Sequence, residues 1–313
     1  MKQSIPPVPT SAIRSLILRP SFKKGGSQRI ANLILHTLRS YPLMMLRDNT
    51  LPPFIHPHII YSEKEDDKSC MEPLVNCISL VHMISKNHKG SRKLFWKNVR
   101  MECERVFAEL KEMDKWARLA AMQALSIYIL IRLDEGETED NNLDFLLLTT
   151  VAAIAREIMC SDVGDDITVS TALHDHSTNA NWKEWLFLES RQRLAIVYRV
   201  VNMLVYFEPS TFCTLQSDLI LAPLPSKKQL WESNDSVSWA RERVREPHIY
   251  YALAASGDVV RLDEGQAFCA GAELLYKPLE VATPLRSPSS FEEWCAGMDG
   301  LGGLVMLAAS LVG

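Results

Sequence analysis

Residues 182–207 read WKEWLFLESRQRLAIVYRVVNMLVYF, and the spacing of their apolar side chains decides the fold class. Trp182, Trp185, Leu186, Leu194, Val197, Tyr198, Val201, Leu204 and Val205 recur three or four residues apart, the period of one helix face. A half-buried strand would alternate every second residue, and this stretch does not. The pattern predicts a helix that opens around Asn181 and is ended by Pro209.

The same period recurs on both sides. Ile30, Leu33, Ile34, Leu38 and Tyr41 share one face of a helix starting at Arg29, and Pro42 should end it by pushing its predecessor out of the α region. Leu74, Cys77, Ile78, Val81 and Ile84 make a second stripe, and Phe95, Val99, Cys103, Val106 and Leu110 a third, with Ser91 as its expected N-cap. Trp116 to Leu133 is apolar nearly all round, the signature of a central helix, and Leu143 to Cys160 forms another. Between them LDEGETEDNN, residues 133–142, reads as a solvated acidic loop, and residues 161–179 as a second loop. Short helices are expected around Leu230 and Trp231 and from Ser236 onward. No alternating strands and no βαβ spacing appear, so the expected fold is all-α, a multi-helix domain over 29–313. Residues 1–28, rich in Pro, Ser, Gly and basic residues, are expected to form a flexible basic arm.

Composition narrows the function classes. The 313 residues are 47% hydrophobic and 23% charged, with a formal net charge of −4, so a globally basic chain that coats nucleic acid is excluded. Before Asp48 every charged residue is basic: Lys2, Arg14, Arg19, Lys23, Lys24, Arg29, Arg39 and Arg47. Mitochondrial presequences and nuclear-import segments share that bias. The seven cysteines are scattered and include no C-x2-C, which argues for free thiols rather than a disulfide scaffold or zinc clip. No uninterrupted apolar run reaches the roughly 18 residues of a membrane span.

The candidate chemistry is sparse. His174 and His176 lie in an acid-rich stretch, but two histidines fall short of the three or four ligands a metal site needs, and a polar loop is the expected reading. His56 and His58 flank Pro57 in LPPFIHPH, where Pro52, Pro53 and Pro57 fix φ and withhold backbone donors, so a structural corner is expected. The glycines of GLGGL at 300, 302 and 303 lack the G-x-G-x-x-G spacing and a preceding strand, and read as a small-residue turn. ESRQR and ARERVRE read as solvated charged faces with i,i+4 pairing. The sequence assigns no catalytic, cofactor-binding or metal-ligating residue.

Three segments taken in order carry a resemblance: YPLMMLRDNTLPPFIHPH at 41–58, the stretch at 182–207, and LAPLPSKKQLWESNDSVSWARERV at 221–244. Together they resemble the C-terminal regulatory region of fungal zinc-cluster transcription factors of the binuclear Zn2Cys6 type, over about residues 38–245. The first segment resembles that family's P-x-M-M-L-R-x-x-T-L-P-P-F-I-H-P segment. The second resembles its W-x-x-W…E-S-x-R-R-x pattern, through Trp182, Trp185, Glu189, Ser190, Arg191 and Arg193, and the third its L-P-x-x-x-x-L-W-E-x…W pattern, through Leu224, Pro225, Leu230, Trp231, Glu232 and Trp239.

The resemblance implies a nuclear regulator of transcription, controlling a fungal metabolic or secondary-metabolite gene cluster through a helical fungal-specific transcription factor domain, and no enzyme. The family's six-cysteine cluster, which places a short helix in the DNA major groove, has no counterpart among these residues, whose first cysteine is Cys70. Contact with DNA is then indirect, through other transcription proteins, a zinc-cluster partner or a missing N-terminal module, and a small-molecule effector held between helices is a further implied partner; no membrane is implied. The alternatives are an all-α enzyme or accessory protein of the same pathway, with a pocket the sequence does not place, and a mitochondrial helical protein, which rests on the basic arm alone.

Overall fold

Lys115–Glu135 organises the molecule. In the computed structural model, which describes residues 16, 25–48, 50–60, 70–86, 88, 90–165, 178–205, 219–245, 250–254, 256–262 and 289–312, this helix runs through the middle of the core with Leu119, Ala120, Ala124, Ile127, Tyr128 and Leu130 buried. Its start is set by Asp114, whose side chain accepts a hydrogen bond from the Ala117 N–H at 2.7 Å. Its end is set by Gly136 at φ 71°, a conformation that favours glycine.

In chain order the helices are α1 (Gly25–Met44), α2 (Pro57–Ile60), α3 (Glu72–Ser85), α4 (Ser91–Glu109), α5 (Lys115–Glu135), α6 (Asp144–Asp165), α7 (Thr178–Leu204), α8 (Lys228–Trp231), α9 (Ser236–Arg245), α10 (Ser289–Ala296) and α11 (Gly300–Val312). The fold is all-α apart from a small antiparallel sheet of β1 (Leu219–Leu221), β2 (Tyr250–Ala254) and β3 (Val259–Leu262), in that spatial order. The helix packing makes two rings that share α5. One is α3, α4, α6 and α5, each against the next; the other is α5, α1, α11 and α7. Membership of both rings explains why α5 is apolar nearly all round. By length and composition α5 could cross a membrane, yet 78% of its apolar window is buried inside the fold.

Three of the polar residues that α5 buries are tied to the surrounding core. Gln123 donates to the Phe54 carbonyl at 2.8 Å, Ser126 to the Gln123 carbonyl at 2.7 Å, and Arg132 pairs with Asp144 at 2.8 Å. Asp144 also accepts the Leu16 N–H at 2.8 Å, and Leu16 itself is buried. Leu16 is therefore docked on the core, and α1 begins at Gly25, four residues before Arg29.

Several local expectations are corrected. Pro42 lies inside α1, two residues before its end. Ser91 is the first residue of α4 rather than its cap; Gly90, at φ 83°, precedes it without a side-chain cap. The stretch 133–142 is not wholly solvated: Asn141 is fully buried, accepts the Thr138 N–H and donates to the Gly136 carbonyl, while Glu135 pairs with Arg92 and accepts the Trp96 indole N–H. Residues 161–165 continue α6, α7 opens three residues before Asn181 and ends at Leu204, and GLGGL is the first turn of α11. His174 and His176 fall outside the described residues.

Candidate functional site

Arg193 points from α7 into the fold, and its side chain is fully buried. Four segments close around it. Its Nε donates to Glu189, one turn earlier on α7, at 2.6 Å. One terminal nitrogen donates to the Pro53 carbonyl at 3.1 Å and also to Asp299, and the other to the Ser226 carbonyl at 3.1 Å. The guanidinium plane lies over the Trp231 ring, 4.1 Å from its centroid.

Glu189 completes the closure on the acceptor side. It accepts the Ser226 N–H at 2.9 Å and the Ser226 hydroxyl at 2.7 Å. Asp299 uses its other oxygen to accept the Leu301 N–H at 2.9 Å, capping the first turn of α11. A buried charge pair is tolerated only when its remaining lone pairs and protons are also satisfied, and here they are shared among four backbone segments.

His56 sits beside this network in a ring of aromatics. Its Nε2 donates to the Trp231 carbonyl at 2.8 Å, and its Nδ1 accepts the His58 N–H at 3.2 Å. That pair of partners fixes the neutral Nε2–H tautomer. Burial lowers its pKa to about 4; the Trp231 carbonyl opposes the shift, and the charges of His58 and Arg193 reinforce it. Trp231 and Trp182 stand edge-on to the His56 ring at centroid distances of 4.9 and 6.4 Å, and His58 tilts against Trp182 at 4.6 Å. Tyr41 packs edge-on against Phe54 at 5.9 Å, and burial followed by the charge of Asp299 pushes its phenol well up.

The structure thus brings together most of the residues singled out from sequence. Pro53, His56, Glu189, Arg193 and Trp231 meet directly, with buried Pro52 and Pro225 framing the two loops. Trp182, Trp185 and Trp239 form an adjoining cluster with Leu186 and Leu230, and the Trp185 and Trp239 rings are tilted against each other at a centroid distance of 5.8 Å. Pro57 stands apart, exposed at the start of α2. Arg191 also stands apart, 5.9 Å from the Phe187 ring on another face of α7. ESRQR is therefore no solvated face: Glu189, Ser190 and Arg193 are buried, and Gln192 donates to the Leu224 carbonyl at 2.5 Å.

Asp299 and Ser226 were not anticipated. An aspartate one residue before GLGGL is a helix N-cap signal, obscured there by three glycines that argue against a helix. Ser226 carried no signal, because its role depends on a contact with α7 37 residues away.

This arrangement suits a lock better than a reaction. Four N–H groups of Arg193 and both oxygens of Glu189 are committed to holding the corner at 52–56, the loop at 224–227 and the start of α11 onto α7. Among the described residues no three His, Cys, Asp or Glu side chains are grouped to hold a metal ion. Cys70, Cys77, Cys103 and Cys295, the described cysteines, form no disulfide with one another; burial pushes the Cys103 thiol up to about 12 and the Cys77 thiol higher still. Compared with known proteins, the chain matches no family model, no curated protein and no solved structure.

Proposed function

We propose that this chain is a transcription regulator acting in the nucleus on a fungal metabolic or secondary-metabolite gene cluster, its helical domain working through contacts with other transcription proteins. The observation that carries the reading is the convergence at Arg193. The three segments that resemble the zinc-cluster regulators are widely separated in sequence, yet the first supplies Pro53 and His56, the second Glu189 and Arg193, and the third Ser226 and Trp231 to a single buried junction. Segments whose likeness was one of order along the chain are thus also parts of one structural unit. A buried, densely hydrogen-bonded junction of this kind suits a scaffold that presents surfaces to partners.

The test is to tether the chain to an unrelated DNA-binding domain and measure a reporter. The reading expects the reporter to rise or fall at least several-fold, while the purified chain alone shows no sequence-selective DNA binding. An unmoved reporter, or salt-resistant discrimination between DNA sequences by the chain alone, would overturn it.

A further inference from the structure

Residues 73–101 contain six Lys and Arg and no Asp or Glu, in a chain whose net charge is −4. They make up most of α3 and the first half of α4, two helices that pack side by side. The Asn76 amide donates to Glu102 at 3.2 Å and Arg105 pairs with Glu72 at 3.5 Å, so the helices run antiparallel, with the end of α3 beside the start of α4. On their outer side Val75 is 45%, Leu94 49% and Met101 55% exposed. The polar groups set among these three are turned back onto their own helices: Ser79 donates to the Val75 carbonyl at 3.0 Å and Asn98 to the Leu94 carbonyl at 2.8 Å. Lys93, Lys97 and Arg100 fall three or four residues apart along the exposed side of α4 and form no ion pair among the described residues. Exposed Lys86, just past the end of α3, adds a fourth cation.

We propose that this face docks an acidic amphipathic helix of a partner protein. Leu94 and Met101 are seven residues apart, two turns or about 10 Å along α4, which matches the repeat of apolar anchors on such a helix. Val75 on the neighbouring helix widens the apolar strip. The ridge of Lys93, Lys97 and Arg100 flanks that strip and complements carboxylates on the polar face of the incoming helix. The start of α4, which has no side-chain cap, puts the positive end of a helix dipole beside Lys93. The nearby acids do not oppose this field: Glu72, Glu102 and Glu109 converge on Arg105, and Glu135 is held by Arg92 and the Trp96 indole. Exposed Glu104, one turn past Arg100, marks where the ridge ends. A nucleic-acid backbone would use the cations and leave the three exposed apolar side chains without a partner. The inference rests on the reading above that the chain acts through other proteins, and it names the face and the chemistry of that contact.

The experiment titrates the purified full chain into a fluorescently labelled helical peptide, leucine on one face and glutamate on the other, and follows anisotropy. The comparison probes are the same peptide with lysine for every glutamate, the same peptide with serine for every leucine, and a random-sequence DNA duplex. The expected result is saturable 1:1 binding of the acidic leucine peptide, weakened by added salt, with each comparison probe at least ten-fold weaker. Lys93→Glu combined with Lys97→Glu, and separately Leu94→Ser combined with Met101→Ser, should each weaken that peptide at least ten-fold. Arg47→Glu combined with Arg241→Glu, at exposed basic residues elsewhere, should leave it unchanged. Circular dichroism checks that the variants fold, and the comparison of probes on the unaltered chain holds even if one does not. No saturable binding, equal binding of either altered peptide, DNA binding as tight as the peptide's, or equal loss in both charge-reversed variants would overturn the proposal. Those failures leave the tethering result standing, and a silent reporter with intact peptide binding would overturn the regulatory reading alone.

Discussion

Replacing Arg193 with methionine is the sharpest perturbation of the junction. Arg193→Met keeps most of the side chain's length while removing its charge and every N–H donor. Glu189 and Asp299 would then share a buried space with no counter-charge, and the Pro53 and Ser226 carbonyls would each lose a donor. Breaking a buried pair from one side costs about 3–5 kcal/mol. The two stranded carbonyls place this case near the upper end, at about 5 kcal/mol. Since a domain has only about 5–15 kcal/mol of stability to lose, the variant should be marginally folded at 25 °C. Arg193→Lys keeps the charge but cannot serve four acceptors with a planar fork, and should cost about 2–3 kcal/mol. Glu189→Gln placed in the Arg193→Met background removes one stranded charge, so the double variant should be less destabilised than the sum of the singles by at least about 1 kcal/mol. Urea unfolding followed by ellipticity at 222 nm and by tryptophan fluorescence reads all of these. An Arg193→Met midpoint within about 1 kcal/mol of the unaltered chain, or strict additivity in the cycle, would refute the claim that Arg193 locks the four segments.

Three further outcomes follow from the same geometry. His56 has a folded pKa of about 4, below its unfolded value of 6.5, so the unfolded chain binds the extra proton between those values; its contribution is complete above about pH 6.5 and is lost as pH falls toward 4. That amounts to about 2 kcal/mol between pH 7 and pH 5, and the slope of stability against pH should flatten by that amount in His56→Gln. Asp299→Asn keeps a cap for α11 while losing the charge partner of Arg193, so Asp299→Ala should cost about 1 kcal/mol more than Asp299→Asn in thermal or urea unfolding. A side chain at Gly302 would place its Cβ 2.5 Å from the Met298 Cβ, whereas the corresponding space at Gly303 is open; Gly302→Ala should lose about 1–3 kcal/mol and Gly303→Ala gain about 0.5–1 kcal/mol.

What the sequence revealed follows from what periodicity can carry. The faces of α3, α4, α5 and α7 were legible because each spans several turns, and the all-round apolarity of α5 announced its central place. The sheet was not legible: LIL, YYALA and VVRL are three to five residues long, too short to show a period of two against a helical background. Glu189 and Arg193 were visible as an i,i+4 pair, but such pairs look the same on a solvated face and in a core. What buries this one is Asp299, 106 residues further along, and the carbonyl of Pro53, 140 residues back. The proline corner was readable because proline constrains its own backbone, whereas the carbonyls it leaves for Arg193 and Gln123 became visible only when the partners were placed.

The measurement that bears most directly on the account is genome-wide transcript profiling in the host, comparing the unaltered strain with one lacking this gene within hours of its loss. The expected result is a coordinated rise or fall across a contiguous set of genes. Unchanged transcripts accompanied by a changed metabolite would contradict it and turn attention to an enzyme.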